Sequence, residues 1–127
     1  MTLMRRVLII DDEDDIREVA ALSLEATADW EILTASSGKE GIRVAAAEKP
    51  DAILMDVMMP EMDGPTTFKQ LQLNPETAGI PVVLLTAKVQ GVDQRRFAGL
   101  GVAAILFKPF DPLTLAQQIS EVLGWQD

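Results

Sequence analysis

Asp11 and Asp12 directly follow the apolar run Val7-Leu8-Ile9-Ile10, and Asp56 directly follows Ala52-Ile53-Leu54-Met55. Two further runs of the same kind end in different polar residues. Pro81-Val82-Val83-Leu84-Leu85 leads into Thr86-Ala87, and the stretch from Ala103 to Phe107 leads into Lys108-Pro109. Carboxylates brought together repel, so they protonate, bind a cation or stay in open contact with water. Hard oxygen donors of this type suit Mg²⁺. A Lys and a Thr at the same rim can hold a phosphoryl oxygen, one by charge and one by a hydrogen bond. A carboxylate can also attack phosphorus itself, giving an aspartyl phosphate. The set points to Mg²⁺-dependent phosphoryl transfer onto a carboxylate.

Other chemistries are excluded by what is missing. The 127 residues include no Cys, so disulfides, thiolate metal sites and cysteine nucleophiles are out. They include no His, so there is no Ser-His-Asp triad, no HExxH zinc site and no phosphohistidine on this chain. Eleven basic against twenty acidic side chains leave a net charge of −9. An acidic chain is a poor direct ligand for nucleic acid or anionic membrane. No apolar run is long enough to span a bilayer, and Met1 to Arg6 followed by four apolar residues is not a signal peptide. The expectation is one cytoplasmic domain over residues 1–127, large enough for a core without staples.

The elements that position the polar residues are legible as an alternation. Val7 to Ile10 reads as a strand buried on both faces. Ile16, Val19, Ala20 and Leu24 recur at helical spacing, and Trp30 to Thr34 reads as a second strand. Ile42, Ala45 and Ala46 mark a second helix stopped by Lys49-Pro50. Ala52 to Met55 is a third buried strand. The Gly and Pro residues between Met58 and Pro65 make a loop, and Pro65 suits the first turn of a third helix whose Phe68, Leu71 and Leu73 face inward. A fourth strand over residues 81–85 precedes a helix from Gln90 to Leu100, and a fifth strand runs from Ala103 to Phe107. Leu115, Ala116, Ile119, Val122 and Leu123 place a final helix from Asp111 or Pro112 to about Leu123. Five β-α units imply an α/β fold with a parallel sheet, helices on both faces and right-handed crossovers. Ligands of such sheets bind beyond the carboxyl ends of the strands. Asp11, Asp12, Asp56, Thr86 and Lys108 therefore belong on one edge.

Each residue alone has a plainer reading. Glu13, Asp14 and Asp15 are explained by a helix N-terminus, where the dipole favours acids. Asp56 alone could be a turn residue, Thr86 a structural hydroxyl and Lys108 a solvated cation. Met58, Met59 and Met62 read as packing or partner surface rather than a cofactor box. The joint arrangement is what singles the five residues out.

In that arrangement the chain resembles a bacterial response-regulator receiver domain of the CheY-like, two-component type. The resemblance covers essentially its full length. It rests on Val7 to Asp12, on Met55-Asp56-Val57-Met58-Met59-Pro60-Glu61-Met62-Asp63-Gly64, on Leu85-Thr86-Ala87, and on Phe107-Lys108-Pro109-Phe110. It implies a flavodoxin-like five-stranded parallel sheet in order 2-1-3-4-5 with five helices. It implies that Asp56 accepts a phosphoryl group from a histidine kinase or a histidine phosphotransfer protein. Asp12 and Asp56 would ligate Mg²⁺ directly and Asp11 largely through water, with the Met58 backbone carbonyl completing the protein ligands. Thr86 and Lys108 would contact the phosphoryl oxygens, small Ala87 would leave room for them, and the Lys108-Pro109 bond would be cis. Phosphorylation would draw Thr86 inward and switch a surface read by an output protein, which the sequence does not identify.

The sequence departs from the family in one place that matters. Three residues before Lys108, where Tyr or Phe is common, it has Ile105, and it contains no Tyr. The stretch Val102-Ala103-Ala104-Ile105 also lacks the acids that support charged dimer contacts in one transcription-factor subfamily, so a monomer or weak dimer is expected. No DNA-binding domain is expected, and no enzymatic turnover beyond self-phosphorylation and self-dephosphorylation. Two alternatives stay open. One is a phosphorylation-independent receiver acting as an interaction module, which Ile105 favours. The other is a haloacid-dehalogenase-type phosphatase, for which Asp12-Glu13-Asp14 supplies a D-x-D but leaves Asp56 and Lys108 unexplained.

Overall fold

The computed structural model describes residues 4–87 and 99–125. Five strands form one all-parallel sheet: β1 Arg6–Ile10, β2 Glu31–Ala35, β3 Ala52–Asp56, β4 Val82–Ala87 and β5 Ala104–Lys108. Their order across the sheet is β2-β1-β3-β4-β5. Four helices are described: α1 Asp14–Ala28, α2 Gly38–Glu48, α3 Gly64–Leu73 and α4 Leu115–Leu123. The helix expected from Gln90 to Leu100 falls on residues 90–98, outside those described, and on Gly99 and Leu100, which form a turn.

The apolar runs of β1, β3 and β4 are continuous because both faces of the sheet are covered. Period-two alternation sends Leu8, Ile10, Ile53, Met55, Val82 and Leu84 to one side, where Phe68 and Leu71 of α3 and Ala45 of α2 meet them. Val7, Ile9, Leu54, Val83 and Leu85 face the other way, against Ala20 and Leu24 of α1 and Leu115 and Ile119 of α4. Burying one such Leu or Ile contributes about 1.5–3 kcal/mol. Those two layers fix the strand ends, and hence the site, in space.

Several boundaries differ from the sequence reading for local reasons. The last helix begins at Leu115, not at Asp111 or Pro112. The Asp111 carboxylate accepts the Leu113 N–H at 2.9 Å, and its carbonyl accepts the N–H groups of Thr114 and Leu115, so a capped turn precedes the helix. Leu73 does not face inward; it is exposed at the end of α3. α2 stops as expected, with Lys49 in left-handed backbone just before Pro50. The Lys108-Pro109 peptide is cis.

Candidate functional site

The parallel order puts the carboxyl ends of β1, β3, β4 and β5 side by side. Register then sets who is adjacent to whom. Asp56 pairs with Leu85, Thr86 with Phe107, and Ala87 with Lys108. Asp11 leaves β1 with its N–H still donating to the Ala35 carbonyl at 3.1 Å. Asp56 is the last residue of β3, and the chain turns at once into the loop that ends at α3. That return is close: a Cβ on Gly64 would stand 2.8 Å from the Asp56 carbonyl oxygen. Asp63 caps α3 by accepting the Thr66 N–H at 2.8 Å.

Asp11, Asp12 and Asp56 converge. Each offers a carboxylate oxygen, and the three atoms lie within 4.8 Å of one another. Asp11 and Asp56 are buried and Asp12 half-buried. The Lys108 ammonium reaches into them, 3.1 Å from Asp56 Oδ1 and 3.3 Å from Asp11 Oδ2. It also lies 3.7 Å from Glu13 Oε1. Burial pushes the Asp56 carboxyl from its ordinary 3.8 up to about 6, with the charges of Asp11 and Asp12 adding to the rise and Lys108 opposing it. Burial alone would lower the Lys108 ammonium; its bond to Asp56 and the charges of Asp11 and Asp56 outweigh that and hold it above its ordinary value.

The donor set fits a hard divalent cation. Asp12 Oδ1 is buried with no hydrogen-bond partner among the described residues. A buried, unpartnered carboxylate oxygen on a residue that clusters with two further carboxylates is one that a metal ion would satisfy. One lysine does not neutralise three acids, so net negative charge remains.

The other residues singled out in the sequence lie around this cluster. Thr86 is buried at the end of β4, its hydroxyl directed to the Ala87 carbonyl at 3.4 Å. Met58 follows Asp56 by two positions with its side chain exposed, whereas Met59 is buried in the core. Ile105 packs against the α2–α3 side of the core. Beside Lys108 opens a recess of about 480 Å³, lined chiefly by Ile16, Val19, Ala87, Pro109, Phe110 and Pro112. Two contributors were not legible in the sequence. Glu13, read as a helix-end acid, faces Lys108. Arg17 donates to the Asp11 carbonyl at 2.7 Å, a contact that no sequence motif announces.

The comparisons with known proteins bear on the family and the fold. Residues 7–120 match the response regulator receiver domain family. The chain is similar to the protein PilH of Pseudomonas aeruginosa, 37% identical over 121 residues that cover 95% of this chain and 99% of PilH. It is 34% identical to the alkaline phosphatase synthesis transcriptional regulatory protein PhoP of Bacillus subtilis over 94% of its own length and 48% of PhoP. The chain thus spans about half the length of that regulator. Among solved structures, the chemotaxis response regulator CheY4 of Vibrio cholerae superposes with a TM-score of 0.87 at 30% identity, covering 94% of this chain and 99% of CheY4.

Proposed function

The chain belongs to the response regulator receiver domain family, and from that premise we propose that Asp56 is a phospho-acceptor served by Mg²⁺, Thr86 and Lys108. The observation that carries the reading is the position of Asp56. It is buried at a strand end, 3.1 Å from an ammonium and within one cluster with Asp11 and Asp12.

In this reading an Asp56 carboxylate oxygen attacks the phosphorus of a phosphohistidine on a histidine kinase or histidine phosphotransfer protein. The O–P bond forms as the N–P bond breaks, and the imidazole leaves with the electron pair. Although burial raises the Asp56 carboxyl to about 6, it is still mainly ionised at neutral pH and can act as nucleophile. Lys108 stabilises charge on the transferring oxygens. Mg²⁺, held by Asp12, Asp56 and the Met58 carbonyl with Asp11 largely through water, would supply further charge neutralisation. The product adds about −1.5 to −2 charge at the strand edge. Thr86, the residue beyond Leu85 that pairs with Asp56, is placed to answer it with its hydroxyl.

The apolar recess beside Lys108, lined by Ile16, Val19, Pro109 and Phe110, offers the donor protein a docking surface next to the site. An output protein would read the phosphorylated surface. The chain is then one receiver unit acting in the cytoplasm, as a signalling module rather than a turnover enzyme, monomeric or weakly dimeric, with no direct contact to nucleic acid or membrane. No helix among the described residues is long and apolar enough to cross a membrane.

The test is intact-protein mass after incubation with acetyl phosphate, with and without Mg²⁺, on the parent and on Asp56→Asn. One Mg²⁺-dependent phosphoryl adduct, absent from the variant, is expected. An equal adduct on Asp56→Asn removes Asp56 as acceptor. Absence of both the adduct and beryllofluoride binding selects the phosphorylation-independent interaction module instead.

A further inference from the structure

We propose that Arg17 is a positioning residue for the metal site: its guanidinium grips the Asp11–Asp12 peptide and so aims the Asp12 carboxylate into the acidic cluster. The inference rests on the reading that this cluster binds Mg²⁺.

Arg17 sits in α1, and its side chain runs back toward the helix N-terminus, the direction helical side chains take. One guanidinium nitrogen, Nη1, donates to the Asp11 backbone carbonyl at 2.7 Å. The other, Nη2, donates to Asp14 Oδ1 at 2.6 Å. The Arg17 side chain is only 19% exposed while that of Asp14 is 83% exposed. Asp14 is therefore an outer brace, and the carbonyl is the inner target.

That carbonyl matters because of what else holds the loop. Asp11 is fixed several times over: its N–H donates to Ala35, its Oδ1 accepts the Glu13 N–H at 2.9 Å, and its Oδ2 faces Lys108. Asp12 has no such set. Its buried Oδ1 has no hydrogen-bond partner among the described residues. The place of that oxygen depends on the backbone that carries it. The Asp11 carbonyl and the Asp12 nitrogen share one planar peptide unit, so holding the carbonyl orients the Asp12 Cα and the direction its carboxylate takes. The planar guanidinium can engage both acceptors at once, which a lysine ammonium on a flexible stem does not reproduce.

The proposal makes a prediction of sign. Arg17 carries positive charge near a cation site, so by charge alone its removal strengthens Mg²⁺ binding. By positioning, its removal weakens it. In a Mg²⁺ titration followed by amide proton–nitrogen shifts, with no phosphoryl donor present, Arg17→Gln should raise the Mg²⁺ Kd about tenfold, the lower end of what losing an outer partner of a ligand costs. Arg17→Lys keeps the charge and should still raise the Kd at least about threefold. Thermal unfolding in EDTA checks that each variant is folded, and Arg17→Lys carries the test should Arg17→Gln not fold. An unchanged or lower Kd in folded Arg17→Gln, or full parental affinity in Arg17→Lys, overturns the proposal. A parent protein that binds no Mg²⁺ overturns the underlying reading of the cluster, which is a distinguishable failure.

Discussion

The two ends of the sheet hold nearly the same ingredients. At the amino end, the Arg6 guanidinium faces Glu31 at 3.4 Å and Glu48 at 3.5 Å, while the Arg6 N–H donates to Asp51 at 2.8 Å. At the carboxyl end, Lys108 faces Asp11, Asp56 and Glu13. Each end sets a cation among acids, the Arg6 guanidinium beside Glu31 and Glu48 and the Lys108 ammonium beside Asp11, Asp56 and Glu13. The difference is water. The side chains of Glu31 and Glu48 are 53% and 50% exposed, whereas those of Asp11 and Asp56 are 2% and 4% exposed. Solvated acids keep their charge at little cost and are worth little when paired. Buried ones cannot, and the strain appears as the raised Asp56 carboxyl. The amino end ties β1, β2, β3 and α2 together; the carboxyl end is left short of positive charge, the condition for taking up a cation and a phosphoryl group.

That contrast can be broken in three ways. The largest effect should come from removing each cation. Lys108→Met should destabilise the metal-free protein by about 2–3 kcal/mol, somewhat under the usual cost of breaking a buried pair because Asp56 can take up a proton instead. Arg6→Met should cost about 1 kcal/mol. Urea unfolding at pH 7 in EDTA measures both, and equal costs would erase the distinction.

Next come the acids, whose effects should differ in sign. The folded-state Asp56 pKa lies above its unfolded value, so the native protein binds the proton more readily and stability falls as pH rises from about 4 through about 6. Asp56→Asn should thus stabilise the metal-free protein at pH 7 by about 1–2 kcal/mol, less than the full shift would give because the ion pair with Lys108 is lost along with the charge. The gain should shrink as pH is lowered toward 4. Asp51→Asn, which weakens a solvent-exposed bond to Arg6, should destabilise by about 0.5–1 kcal/mol. A stabilising Asp51→Asn or a destabilising Asp56→Asn in unfolding curves at several pH values would contradict the assignment.

The smallest effect belongs to the tryptophans near the amino end. Trp30 and Trp125 meet edge to face with centroids 5.2 Å apart, and Arg5 lies 4.2 Å from the Trp125 ring centroid. Arg5→Gln should cost about 0.5–1 kcal/mol and leave phosphoryl uptake at Asp56 unchanged. A drop in uptake would mean that the two ends are coupled.

Most of the frame was legible because strand and helix write different periods. The buried strands announced themselves as short apolar runs, and Asp11, Asp12, Asp56, Thr86 and Lys108 stood at their ends. Where the reading slipped, a local competitor was at work. Asp111 spends its carboxylate and carbonyl on a turn and delays the last helix. Leu73 continues an apolar spacing past the point where α3 has anything to pack against. Glu13 read as an ordinary helix-end charge and Arg17 drew no reading at all, since side-chain reach across a turn leaves no periodic trace.

By itself, the sequence determined the kinds of ligand, the absence of thiol and imidazole chemistry, and the alternation that forces a parallel sheet. A parallel sheet then places every strand's carboxyl end on one edge, wherever in the chain that strand lies. The tertiary structure alone decided which charges lose water. Burial follows from how two helical layers close over a sheet, and the electrostatic cost of a carboxylate follows from burial. Hence Arg6 and Lys108, each set among acids, became a clasp in one place and a candidate reactive site in the other.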